Sequence, residues 1–87
     1  MMDINYELYK VFYHVATTLN FSEASKQLFI SQSAVSQSIK TLERKLDQTL
    51  FIRSTKKVQL TPEGEILLRH IEPAMNLIQK GEAQLLD

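Results

Sequence analysis

The chain has 87 residues, enough for one small domain, and its 44% hydrophobic content is ordinary for a globular protein. It contains no cysteine, so disulfides are excluded. It also has no signal peptide and no apolar run near the roughly 20 residues of a membrane span, so a cytoplasmic location without membrane contact is expected. Ten basic residues balance ten acidic ones, so net charge alone indicates no polyanionic partner, while two glycines and two prolines favour helices.

Apolar residues at helical spacing predict two helices in the first thirty residues. The first, expected to end near Asn20, is marked by Ile4, Leu8, Phe12, Val15 and Leu19. Ser22 is predicted to cap a short second helix that carries Ala24 and Leu28 inward. Because Phe29 and Ile30 are apolar and no glycine lies nearby, the turn that follows is predicted to be tight and buried.

A third helix, capped by Ser31, is predicted to carry two stripes of different character. The buried stripe consists of Val35, Ile39, Leu42 and Leu46. The stripe on the opposite side consists of Ser33, Gln37, Lys40 and Arg44. Every member of this second stripe can donate a hydrogen bond and none is acidic, whereas a merely solvated face usually includes Asp or Glu. This helix therefore has the character of one that docks on nucleic acid.

The helical period is lost after Asp47, where two short runs, at residues 50–53 and 57–60, predict a hairpin with a basic tip. Thr61 is predicted to cap a fourth helix with Pro62 at its first position. This helix is expected to span about 25 residues, and Pro73 favours a kink in it. It is longer than packing within so small a domain requires.

The basic residues are concentrated in the centre of the chain. Residues 21–60 hold seven basic and three acidic residues, a net charge of plus four, whereas the first twenty residues carry minus one and the last 27 carry minus three. This arrangement suits a nucleic-acid-binding face, although a solvated basic face would look the same.

Catalytic chemistry has little support in the sequence. His14 and His70 lie on different predicted helices without a paired carboxylate, and Glu63 and Glu65 are interpreted as charges that favour a helix start. No phosphate-binding glycine motif or nucleophile motif is present. We therefore expect no enzyme activity, no metal and no cofactor.

Together these elements predict a mainly α winged helix-turn-helix: a three-helix core and a two-stranded wing in residues 1–61, followed by a long C-terminal linker helix in residues 62–87. A recognition helix at about 31–46 would enter the major groove of double-stranded DNA. The wing at about 50–60 would place Lys56 and Lys57 on the backbone or in the minor groove.

Two runs resemble the DNA-binding segment of LysR-type transcriptional regulators. They are Ala24-Ser25-x-x-Leu28-x-x-Ser31-Gln32-x-Ala34-Val35-Ser36-x-x-Ile39-x-x-Leu42-Glu43 and Leu46-x-x-x-Leu50-Phe51-x-Arg53-x-x-Lys56-x-Val58-x-Leu60-Thr61-x-x-Gly64. The similarity covers residues 4–87. It implies a bacterial transcription factor that binds an interrupted inverted repeat as a homodimer through its linker helix, or as a tetramer at full length. It also implies a C-terminal domain, absent from this chain, that binds a small-molecule effector.

The resemblance assigns roles to individual residues. It implies that Ser31 begins the recognition helix, that Gln32, Ser33, Ser36 and Gln37 face the major groove, and that Arg53 contacts phosphate. Four positions depart from the family pattern: Lys56 and Gln37 stand where arginine is common, Ser25 replaces a usual alanine, and Asp47 replaces a usual glycine. The base preference of relatives therefore cannot be transferred to Gln37.

The predicted DNA-binding residues are Ser31, Gln32, Ser33, Ser36, Gln37, Lys40, Arg53, Lys56 and Lys57. The predicted dimer interface consists of Leu67, Ile71, Met75, Ile78 and Leu85. Some of these have a second interpretation, because Ser31 could act only as a helix cap, and Ile71, Met75 and Ile78 could instead cover the first helix. Two alternatives for the whole chain also stay open: a winged helix that binds protein, and a stand-alone repressor of another winged-helix family.

Overall fold

A computed structural model describes residues 3–87 and contains four helices and one two-stranded antiparallel sheet. In chain order the elements are α1 (Tyr6–Thr18), α2 (Phe21–Leu28), α3 (Gln32–Leu46), β1 (Phe51–Arg53), β2 (Val58–Leu60) and α4 (Pro62–Leu86). The predicted mainly α winged helix-turn-helix is confirmed. Within the described residues, no helix combines the length and the apolar character that crossing a membrane requires.

The core lies where α1, α2 and α3 pack against one another and against β1. Phe12, Val15 and Leu42 are fully buried at its centre. Phe51 of β1 inserts between two aromatic rings, with ring centroids 5.4 Å from Phe12 and 6.3 Å from Phe21. The wing is therefore anchored to the helical core by an apolar side chain at the first position of β1.

Each helix begins at a residue whose side chain accepts a backbone hydrogen bond. The N-caps are Asn5, Asn20, Ser31 and Thr61. The caps predicted at Ser31 and Thr61 are confirmed, but the prediction that Ser22 caps α2 is wrong. Asn20 holds that position, where its Oδ1 accepts from the Glu23 N–H at 2.9 Å, so the buried Phe21 forms the first residue of the helix.

The first three helices all end in a left-handed residue that is not glycine. These residues are Leu19, Phe29 and Asp47, with φ angles of 52°, 58° and 53°. The prediction of a buried turn at Phe29 and Ile30 is wrong, since Phe29 is 93% exposed and Ile30 is also exposed. Leu19, the last of the apolar residues that marked the first helix, is exposed as well. Leu19 and Phe29 are the left-handed residues that end α1 and α2. Had the helices continued, both side chains would have pointed toward the buried face, but the left-handed backbone turns them away from it.

The wing closes without glycine because Ser54 supplies the turn's hydrogen bonds. Its N–H donates to the Lys57 carbonyl at 2.9 Å, and its Oγ accepts from the N–H groups of Lys57 and Lys56 at 3.2 and 3.4 Å. The strands pair Phe51 with Leu60 and Arg53 with Val58. The predicted hairpin with a basic tip is confirmed.

The start of α4 is pressed against the base of the wing. Thr61 is buried, and its Oγ1 donates to the Thr49 carbonyl at 2.6 Å while accepting from the Gly64 N–H at 3.0 Å. A Cβ atom on residue 64 would collide with the Leu50 carbonyl oxygen, so only glycine permits this approach. Pro73 lies inside α4, which continues through it to Leu86.

Candidate nucleic-acid interface

The outer face of α3 presents the polar side chains that the sequence singled out. Gln32, Ser33, Gln37 and Lys40 are exposed, and Ser36 is half-buried. Val35, Ile39 and Leu42 are buried on the other side of the same helix. Amide, hydroxyl and ammonium groups on one exposed helical face are able to hydrogen-bond to base edges and to phosphate oxygens.

Ser31 is held at the N-terminus of α3 by two contacts. Its Oγ accepts from the Ala34 N–H at 3.1 Å and lies 3.1 Å from the Ser33 Oγ. The capping function predicted for Ser31 is thus present, and the hydroxyl remains exposed beside the first turn of the helix. The N-terminus of a helix attracts anions through its free N–H groups, so this end of α3 suits a phosphate.

Arg53 reaches from the end of β1 to two other elements of the fold. Its guanidinium carbon lies 3.8 Å from the centroid of the Phe21 ring, and its Nη1 lies 3.5 Å from the Ser36 Oγ. The structure therefore brings together two residues that the sequence predicted separately, one on the wing and one on α3. It also places the arginine on an aromatic side chain that the sequence did not single out for the site.

Glu43 connects α3 to the base of the wing, and sequence reasoning assigned it no role. Its Oε2 accepts hydrogen bonds from the backbone N–H groups of Leu50 at 2.7 Å and Phe51 at 3.3 Å. The signal available in the sequence was that Glu43 is one of only three acids in the basic central stretch. The carboxylate fixes the chain where it leaves the helix and enters β1.

The wing tip and the N-terminus of α3 share one open polar depression. Arg53, Lys56 and Lys57 line it from the wing, Gln32 lines it from α3, and Asn20 lines it from the start of α2. Both lysines are exposed. The predicted basic residues of the wing and Gln32 of α3 thus lie around a single surface, which a strand of the DNA backbone could follow.

The two histidines make hydrogen bonds within the fold. His14 Nδ1 lies 2.7 Å from the Gln27 Oε1 and links α1 to α2, and His70 Nδ1 lies 2.9 Å from the Ile66 carbonyl one turn earlier on α4. These contacts account for both side chains in structural terms.

The residues predicted for a dimer interface do not form one exposed strip. Leu67 and Ile71 are half-buried against the core of the same chain, and Met75 is only 4% exposed. The single chain already covers Met75, in keeping with the second interpretation given above, and its place in a dimer interface stays a prediction. Ile78 and Leu85 are exposed, as are three apolar residues that the sequence reasoning did not include: Ile66, Leu77 and Leu86.

The exposed apolar residues of α4 can be placed by helical geometry. At 100° per residue, Ile66, Leu77, Ile78 and Leu85 fall within a strip about 120° wide. Met75 lies about 160° from Leu77 but only about 60° from Ile78. On the same scale Leu67, which packs against the core, points in the same direction as Leu85. The open strip of α4, defined as Ile66, Leu77, Ile78 and Leu85, therefore overlaps the packed side in direction, and what distinguishes its members is their exposure.

Comparison with known proteins relates these features to a group of regulators. The sequence model described as "Bacterial regulatory helix-turn-helix protein, lysR family" matches residues 6–65. The chain is 45% identical over 76 residues to the HTH-type transcriptional regulator PerR of Escherichia coli strain K12, an alignment that covers 87% of this chain and 26% of PerR. The chain spans about a quarter of the length of the curated relatives it matches.

Two solved structures share this fold. The crystal structure of the CbnR_DBD-DNA complex has a TM-score of 0.81 and 26% identity, over 93% of each chain. A structure described as a transcriptional regulator of the LysR family from Eggerthella lenta has a TM-score of 0.74 and 36% identity, over 79% of this chain and 99% of that one.

Proposed function

Because this chain belongs to the lysR family of bacterial regulatory helix-turn-helix proteins, we propose that it is the DNA-binding part of a cytoplasmic transcriptional regulator, and not an enzyme. In this proposal α3 enters the major groove of double-stranded DNA, and the wing follows the adjacent backbone or minor groove. The fold that supports it is shared with a domain whose structure is described as a DNA complex.

The observation that carries the proposal is the convergence of the wing and α3 on one surface. Gln32, Arg53, Lys56 and Lys57 line the same open depression, next to the exposed polar face of α3. We assign base reading to Gln32, Ser33, Ser36 and Gln37. We assign phosphate contacts to Ser31, Lys40, Arg53, Lys56 and Lys57.

Dimerisation through α4 forms the second part of the proposal. The open strip of α4 leaves large apolar side chains in water, with Leu77 69% and Leu85 88% exposed. Pairing with α4 of a second copy would cover them on both chains at once, since a two-fold interface uses the same patch twice. Two paired domains would read an interrupted inverted repeat, and a small-molecule effector would bind outside this chain, in a further domain of the full-length regulator.

Selection of bound sites from a pool of random duplex DNA tests the proposal directly. We expect recovery of an enriched sequence with two-fold symmetric halves, because a symmetric dimer presents α3 to each half-site. Recovery of a random pool would contradict sequence-specific binding, and an enriched single half-site would contradict only dimeric reading.

The salt dependence of affinity separates this function from a winged helix that binds protein. Each phosphate neutralised contributes about one unit to the slope of log affinity against log salt. A slope near zero would favour the protein-binding alternative. Lys80, exposed on α4, offers a matched control, since Lys80→Ala removes one positive charge outside the proposed DNA surface.

A further inference from the structure

We propose that Phe21, a core residue at the start of α2, is a positioning residue that holds Arg53 ready for DNA. The inference rests on the proposed function, in which Arg53 is a DNA contact. It adds a role for an apolar side chain that cannot itself donate a hydrogen bond to a base or a phosphate.

The ring of Phe21 is fixed by the core on one side and presented to Arg53 on the other. Phe21 is 7% exposed and meets the Phe51 ring in an edge-on contact, at an interplanar angle of 70°. The guanidinium carbon of Arg53 lies 3.8 Å from the Phe21 centroid, well within the range of a cation–π interaction. Because the core holds the ring, the ring can act as a platform for a side chain that is otherwise exposed.

Stacking on Phe21 leaves the hydrogen-bonding edge of the guanidinium available. The group carries five N–H donors in one plane, and an aromatic ring covers a face of that plane and not its edge. Within residues 3–87, the hydrogen bond found for this group is a long one, from Nη1 to the Ser36 Oγ at 3.5 Å. The other donors can therefore form paired hydrogen bonds to phosphate oxygens without breaking the stack.

Holding the arginine in place before DNA arrives should increase affinity. A long, flexible side chain loses conformational freedom when it is ordered in an interface, and this loss opposes binding. In this chain, β1 fixes the backbone of Arg53 and the Phe21 ring holds its guanidinium, while the long contact with Ser36 lies on the side of α3. Most of the ordering is then already present in the free protein.

A double-mutant cycle on the 87-residue chain tests the inference. The variants are Phe21→Leu, Arg53→Ala and the double variant, each measured against the same labelled duplex of about 30 base pairs. We expect Phe21→Leu to weaken binding roughly 2- to 10-fold when Arg53 is present, and to have almost no effect in the Arg53→Ala background. If the fold-loss of affinity in the double variant equals the product of the two single fold-losses, the two residues are not coupled and the positioning role is overturned.

Phe12 provides the matched control for lost core packing. Its ring centroid lies 5.4 Å from that of Phe51 and it is fully buried, but the arginine stacks on Phe21 and not on Phe12. Phe12→Leu should therefore lower stability without any coupling to Arg53 in the affinity measurement. All variants are compared at a temperature at which circular dichroism shows each to be folded.

Nuclear magnetic resonance of the wild-type chain supplies a test that needs no variant. An arginine stacked on an aromatic face has its side-chain protons shifted upfield by the ring current, so the Arg53 Hγ and Hδ signals should lie upfield of ordinary arginine values in the free protein. Ordinary shifts would overturn the inference even if Arg53 binds DNA. Conversely, full affinity in Arg53→Ala would overturn the proposed DNA contact, and the positioning role with it.

Discussion

Removing the carboxylate of Glu43 should loosen the base of the wing. Its Oε2 accepts from the backbone N–H groups of Leu50 and Phe51, both of which belong to buried residues. A hydrogen bond to a charged group contributes about 1.5–3 kcal/mol, and an orphaned buried N–H costs about 1–3 kcal/mol. The Phe51 bond is long at 3.3 Å and Glu43 is only half-buried, so water replaces part of what is lost.

We therefore expect Glu43→Ala to lower the free energy of unfolding by about 2–3 kcal/mol, and Glu43→Gln by about 1 kcal/mol, because the amide keeps one acceptor oxygen. Urea denaturation measures both values. Glu72→Ala on the exposed surface of α4 is the control and should change stability by less than about 0.5 kcal/mol.

Amide hydrogen exchange then locates the effect. In Glu43→Ala, the Leu50 and Phe51 amides should exchange faster than in wild type, while the amides of α1 change less, since both hydrogen bonds described for the carboxylate go to the base of the wing. Unchanged exchange at these two amides, or a stability loss equal to that of the control, would refute the role of Glu43.

Three further predictions concern DNA binding and assembly. Gln37→Ala should relax the preference at one or two base positions and cost about 1–3 kcal/mol on the preferred duplex, and an equal loss on all sequences in a competition assay would contradict base reading. The double change Lys56→Ala and Lys57→Ala should reduce the magnitude of the salt slope by up to about two relative to wild type, whereas Lys80→Ala should leave it nearly unchanged. The double change Leu77→Glu and Leu85→Glu should give a folded monomer in sedimentation, because four like charges would meet in a two-fold interface, and a persistent dimer would exclude the open strip of α4 as that interface.

The overall fold could be predicted because it is encoded by local patterns. Helical spacing of apolar residues located the helices, and short polar residues at Ser31 and Thr61 marked two of their starts. The helix start that was predicted wrongly, at Ser22, depends on several neighbouring residues at once. Asn20 and Ser22 are both able to cap a helix, and the choice of Asn20 follows from the burial of Phe21 between them.

The contacts that organise the site could not be predicted from spacing. Arg53 meets Phe21 across 32 positions of the chain, and Glu43 meets the Leu50 amide across a helix end. On α4, apolar residues occur on two sides of the helix, so the sequence alone could not tell which side the domain covers. The structure places Met75 inside and Leu77 outside, only two residues apart.

The junction between the wing and α4 makes the long helix a rigid lever. Strand β2 ends at Leu60, and Thr61 is hydrogen-bonded to Thr49 at the base of the wing. Helix α4 begins at the next residue, so no flexible segment separates the wing from α4. At 1.5 Å per residue, the 25 residues of α4 extend about 37 Å, close to one turn of B-DNA. A small change in the angle between two paired levers of this length would swing the attached wings through several ångströms, enough to alter which half-sites a dimer can reach together.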